Sequence, residues 1–164
     1  YVVGVAGGKE KCDYVTGELG FDACVDYKAA KDAKELYAMV KAVTPKGVDG
    51  YFENVGGDIL DVVMARLNPF ARIAVCGLIA GYDGQDMPMR NPRAILVSRC
   101  KIEGFIVSEH MDVWPQALKE LGGFVAQGKL KFRESIAEGL ASAPEAFMGL
   151  LKGKNFGKQL VKLA

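Results

Sequence analysis

The sequence predicts a doubly wound parallel α/β sheet, and three observations carry that expectation. Short apolar runs alternate with helical patterns at a step of about 25 residues, the rhythm of βα units. The runs are apolar throughout, which suits strands covered on both faces. Several of them end in glycine-rich turns, and in such sheets ligands sit at the carboxyl ends of strands. With 164 residues the chain has the length of one ordinary domain and can bury a core.

Strands are expected over 1–6, 23–27, 50–55, 72–78 and 102–107, with helices over 9–19, 32–43, 59–67 and, less regularly, 93–99. Asp58 is placed to cap the third helix. After Val107 the pattern changes. An amphipathic helix over 113–127 shows Trp114, Ala117, Leu118, Leu121 and Val125 at helical spacing and stops at Gly128. The strand-like "KFRESIAEG" follows, then the helix "APEAFMGLLKG" with Pro144 near its start and Gly153 after it, and a last run "KQLVKL". Residues 1–128 read as a partial dinucleotide-binding domain and 129–164 as a C-terminal segment.

Composition excludes several classes. Lys and Arg number 21 against 20 Asp and Glu, which gives no electrostatic support for nucleic-acid or membrane-surface binding. No apolar run approaches the roughly 18 residues of a membrane span. Nothing near the start reads as a secretion leader, and a chain that opens inside a strand is expected to have lost its own N-terminus. The cysteines Cys12, Cys24, Cys76 and Cys100 form no CxxC pair and His110 is the sole histidine, so no metal site is expected. Cys24 and Cys76 fall in apolar runs and read as buried thiols of a reducing, cytoplasmic compartment.

The opening "YVVGVAGGKEKC" raises the phosphate-loop question. Its glycines do not fit GxGxxG, where the third glycine lets helix meet strand, nor a P-loop, where lysine precedes a hydroxyl. It therefore reads as the second strand of a dinucleotide-binding unit, whose turn meets the adenosine ribose. Gly7-Gly8 is followed by Lys9 and Lys11, with no acid until Glu10 inside the helix. That favours NADP over NAD; the alternative is a solvated helix start. "FENVGGD" ends a strand with Asn54, whose amide suits ribose or nicotinamide, or else simply starts a turn. "CGLIAGYDG", residues 76–84, brings Tyr82 to a glycine-rich loop after the next strand, as a phenol near substrate or as a stray surface tyrosine. The proline- and methionine-rich stretch after it reads as a lid or binding loop.

Together "AGGKEKCDYVTGELGFDACVDYKA", "GVDGYFENVGGDILDVVMARLNPFARIAVCGLIAGY", "EGFIV" and "APEAFMGLLKGKNFGKQLVKL" resemble the zinc-independent medium-chain dehydrogenase/reductases. The likeness runs along essentially the whole chain and is closest to the prostaglandin/leukotriene reductase branch and its bacterial NADP-dependent relatives. It implies a Rossmann-type sheet lacking its first βα unit, with a C-terminal helix–strand extension. It also implies hydride transfer from NADPH to the C=C bond of an enone or enal, no metal, a homodimer, and a fragment inactive alone. On matching positions, Gly7 and Gly8 form the adenosine-side turn and Lys11 meets the 2′-phosphate beside Tyr27. Asn54 belongs to the family's NVGG motif. Cys76, Gly77 and Tyr82 lie on the loop lining the nicotinamide side, with Tyr82 the phenol for the developing enolate. The backbone of Phe105, Ile106 and Val107 meets the carboxamide, and Asn155 closes over the cofactor.

Two other classes compete: a non-catalytic nucleotide-binding module, and an S-adenosylmethionine-dependent methyltransferase suggested by "NPF", residues 68–70. The segment "RAILVSRCKIEG" carries Ile95, Leu96 and Val97 in a row, the expected two-fold interface, unless these residues pack under a neighbouring helix.

Overall fold

The computed structural model describes residues 1–84 and 86–163. The chain forms two compact units, Tyr1–Met111 and Asp112–Ala164.

In the first unit, strands and helices alternate as β1 (Val3–Ala6), α1 (Lys9–Gly17), β2 (Ala23–Asp26), α2 (Ala33–Val43), β3 (Val48–Glu53), α3 (Gly57–Met64), β4 (Leu67–Val75), α4 (Arg93–Ser98) and β5 (Lys101–Gly104). Every strand pairing is parallel, β1 with β2 and β3 with β4 with β5, as apolar strands joined by helical crossovers require.

Helix α2 shows how the sequence sets these elements. Asp32 accepts the Glu35 N–H at 2.8 Å, and Glu35 accepts the Lys31 N–H at 2.8 Å, so the first turn is closed from both sides. Its buried Leu36 and Val40 meet Val25 of β2 and Ile59 and Val62 of α3 in one apolar cluster. Each fully buried side chain of this kind stabilises the fold by about 1.5–3 kcal/mol. At the far end Arg66 donates to the Thr44 carbonyl at 2.6 Å, satisfying a last-turn acceptor.

Two expectations need correction. Asp58 does not cap α3: the cap position is Gly56, and Asp58 instead pairs with Arg90. Strand β4 starts at Leu67, several residues earlier than the apolar run suggests. The Asn68 amide donates to the Lys46 carbonyl at 2.9 Å and to Asp49 at 2.8 Å, and the β3–β4 register is irregular between Val48 and Gly50. The "NPF" triplet thus lies in the amino half of β4, away from the carboxyl end where a methyltransferase motif would act.

Among the described residues, β1 pairs only with β2 and β3 only with β4. Between the two sheets lies a cavity of about 580 Å³, lined by Val3, Val5 and Val25 on one side and Val48, Gly50 and Tyr51 on the other. In a doubly wound order this is the position of one more central strand.

The second unit comprises α5 (Trp114–Ala126), β6 (Glu134–Glu138), α6 (Ala143–Leu151) and β7 (Lys158–Lys162), with β6 and β7 parallel. Ser135 donates to the Phe156 carbonyl at 2.8 Å and accepts the Phe156 N–H at 2.9 Å, which fixes the approach to β7. A functional boundary after residue 128 stands as a proposal.

Candidate functional site

The residues singled out in the first unit gather in the turns that follow its strands. The turns after β1 and β2 are tied together by Asp26, whose Oδ1 accepts the Gly8 N–H at 2.7 Å and the Lys28 N–H at 3.0 Å. Over Gly7 pass the Tyr27 and Lys28 side chains. A Cβ at Gly7 would stand 2.9 Å from Lys28 Cε and 3.0 Å from the Tyr27 hydroxyl, so a side chain there would push these two side-chain ends aside. Lys11 is half-buried in the first turn of α1. Lys9, by contrast, is exposed and bound to Asp13 at 2.6 Å.

Two of these residues escape a reading of one turn at a time. Asp26 is an acid at the turn, supplied by the next strand, and its Oδ1 is taken by backbone donors. Lys28 is a second cation, and its signal was its place directly after Tyr27 in "VDYKA".

The turn after β3 is built by Glu53, a fully buried carboxylate. Its Oε1 accepts the Val55 N–H at 2.5 Å and the Gly56 N–H at 2.9 Å, while its buried Oε2 has no hydrogen-bond partner. Burial, with the Glu53 carboxylate beside it, pushes the Tyr51 hydroxyl well above the ordinary phenol range. Glu53 was not singled out in the sequence, where it looks like a polar strand end.

The loop after β4 is strapped to this turn. Cys76 N–H donates to the Glu53 carbonyl at 2.8 Å, Ile79 N–H to that of Asn54 at 3.2 Å and Ala80 N–H to that of Val55 at 2.9 Å. The Asn54 amide lies across Gly77, where a Cβ would approach its Oδ1 to 2.5 Å. Cys76 is exposed and Cys24 only half-buried, correcting the expectation of two buried thiols; Cys76 emerges beyond Val75, the last β4 residue of the ladder with β5. Tyr82 is exposed on the loop, and its N–H donates to the Ile79 carbonyl at 3.2 Å. Further on, Met87 rests against Gly56 and Gly81, and the Arg90 N–H donates to Asp61 of α3 at 3.0 Å. The stretch is thus seated on the Asn54 turn and α3.

After β5 the Phe105 N–H continues to the Val75 carbonyl at 3.2 Å, and the Phe105 and Phe52 rings stand 6.3 Å apart. Ile106 and Val107 are exposed. Asn155 belongs to the second unit, where its amide donates to the Gly157 carbonyl at 2.6 Å beside a hollow of about 320 Å³ lined by Ser135, Glu145 and Gln159.

Chemically, the first unit offers Tyr27 and Lys28 across the Gly7 turn with Lys11 on the adjoining helix, and an amide and a phenol on strapped turns. That is equipment for holding and orienting an anionic, extended ligand along strand ends. Among the described residues no group of three or more His, Cys, Asp or Glu side chains is placed to hold a metal ion.

Comparisons with known proteins bear on the family and the fold. The chain is 41% identical over 165 residues to a 2-alkenal reductase (NADP(+)-dependent) of Nicotiana tabacum, covering all of this chain (100%) and 47% of that protein. To prostaglandin reductase 1 of Rattus norvegicus it is 41% identical over 164 residues, 98% of this chain and 49% of that one. The crystal structure of CurA from Vibrio vulnificus in complex with NADPH superposes with a TM-score of 0.88 at 41% identity, over 99% of this chain and 49% of CurA. The chain thus spans about half the length of the relatives it matches. The model of the zinc-binding dehydrogenase family matches residues 1–122. The chain belongs to the zinc-binding dehydrogenase family.

Proposed function

We propose that the chain is the NADP-binding part of an oxidoreductase that reduces the C=C bond of α,β-unsaturated carbonyl compounds. The observation that carries this reading is the turn where Tyr27 and Lys28 cross Gly7 with Lys11 on the adjoining helix. A 2′-phosphate there meets cations and a phenol, while the nearby carboxylate oxygen Asp26 Oδ1 already accepts backbone N–H groups. The relatives' names support the substrate class: one is an alkenal reductase, and CurA was crystallised with NADPH.

In this reading Gly7, Gly8, Lys11, Tyr27 and Lys28 hold the adenosine end. Asn54 holds ribose or nicotinamide, with its amide kept in place by the close passage of Gly77. Cys76 to Tyr82 line the nicotinamide side, and the Phe105–Val107 backbone takes the carboxamide. When bound, NADPH supplies the hydride that goes to the substrate's β-carbon. Tyr82 donates a hydrogen bond to the carbonyl oxygen as negative charge gathers there, and a proton from water completes the α-carbon. No step is routed through zinc. The protein acts as a cytoplasmic homodimer.

The test is NADPH consumption by the full-length protein with a 2-alkenal and with a saturated aldehyde of equal length. Turnover with the alkenal alone, giving the saturated aldehyde, is expected. NADPH binding without turnover on any enal or enone would replace the enzyme with a nucleotide-binding module. Binding of S-adenosylmethionine but not NADPH would overturn the reading.

A further inference from the structure

Helix α1 and strand β2 meet through sulfur. Cys24 Sγ donates to Cys12 Sγ at 3.1 Å, and both thiols are free. The two differ in surroundings. The Cys24 sulfur lies in an apolar seam beneath α1: a Cβ at Gly4 would stand 3.5 Å from it and would also meet Val15 and Phe21. Cys12 sits half-buried on α1, directly after Lys11.

We propose that Cys12 and Cys24 form a reversible disulfide, a modification site that fastens α1 onto β2 in response to a hydroperoxide. Closure needs the sulfurs to approach by about 1 Å, to a bond of about 2.05 Å. The Cys12 sulfur attacks the peroxide O–O bond, becomes a sulfenic acid and releases water or an alcohol. The Cys24 sulfur then displaces the sulfenic hydroxyl, which leaves as water with the Cys24 proton. Overall the two sulfurs lose two electrons and the peroxide gains them. Burial, followed by the neighbouring Cys12, pushes the Cys24 thiol up to about 12, which keeps it protonated and leaves Cys12 to react first. In a reducing compartment such a pair works as a sensor, reopened by dithiol reductants, rather than as a permanent brace. The link would join the helix that carries Lys11 to the strand that ends at Asp26. The disulfide itself does not depend on the cofactor reading.

The experiment treats the full-length protein with hydrogen peroxide, blocks remaining thiols and maps peptides by mass without reduction. Wild type is expected to lose two hydrogens in a peptide pair joining Cys12 to Cys24, with full reversal by dithiothreitol. Cys12→Ser and Cys24→Ser should each abolish the loss, and the Cys76→Ser/Cys100→Ser double variant should retain it. Should either single variant fold poorly, the wild-type map still decides. Cys12 and Cys24 both alkylated after peroxide, Cys12 carried on to sulfinic acid without a link, or either cysteine joined to Cys76 would overturn the proposal.

Discussion

Replacing Glu53 by alanine removes the acceptor that shapes the Asn54 turn. The carboxylate is fully buried and holds two backbone N–H groups, at 2.5 and 2.9 Å. Net hydrogen bonds to charged groups are worth about 1.5–3 kcal/mol each, and a buried donor left without its acceptor costs about 1–3 kcal/mol. Against this stands the relief of Oε2, buried without a partner. The balance is a loss of about 3–4 kcal/mol. For a domain of 150–250 residues, at about 2–4 °C per kcal/mol, the melting temperature should fall by roughly 10 °C. Glu53→Gln keeps a neutral acceptor at the same place, so its loss should be about half as large. Denaturant unfolding of the full-length protein, followed by fluorescence, measures both, and NADPH titration of the folded variants measures the effect on the adjoining Asn54. Stability of Glu53→Ala within about 1 kcal/mol of wild type, or a glutamine variant weaker than the alanine one, would refute the reasoning.

Lys11→Ala and Lys28→Ala should each raise the NADP dissociation constant about 10- to 100-fold and leave NAD nearly unchanged, from the loss of a charge-assisted contact of about 1.5–3 kcal/mol; equal losses for both cofactors would remove the 2′-phosphate assignment. Asn54→Ala should weaken NADPH binding while leaving the melting temperature within a few degrees, whereas an unfolded variant would make Asn54 a turn residue only. Ile95→Asp and Val97→Asp should convert a dimer to a monomer by light scattering, because Leu96 and Val97 on α4 are 78% and 56% exposed; a wild-type monomer, or a dimer untouched by both charges, would rule that interface out. The Cys24 thiol, ordinarily at 9.0, rises to about 12 in the fold, so the folded state holds the proton more tightly. Its contribution to stability is complete below pH 9 and is lost as pH climbs to 12; Cys24→Ser should flatten the unfolding profile in that window.

The alternation of strand and helix was legible because apolar runs and helical spacing are local properties. Helix α2, from Asp32 to its end at Val43, follows such a local code. The start of β4 was hidden because Pro69 looks like a strand breaker and Phe70 adopts φ 65°, a turn-like angle, inside the strand. Candidate residues at strand ends were legible one turn at a time. What sequence could not convey was traffic between turns: Asp26 reaching back to Gly8, Lys28 crossing Gly7, and the loop after β4 bonding to residues 53–55. Cys76 was misplaced for the same reason, since an apolar run does not reveal where its ladder ends.

The cavity between β1 and β3 also bears on how the fold assembles. On either side of it, strands pair with near neighbours in sequence, β1 with β2 across one helix, and β3, β4 and β5 likewise. These pairings close shorter loops than any pairing across the cavity would, although parallel crossovers form more slowly than hairpins. The seam between them is the non-local event, so two half-sheets should mature first and join late. Until a strand seats between them, the facing edges of β1 and β3 are templates for any extended segment that meets them. Filling of this seam is therefore the step expected to compete with self-association.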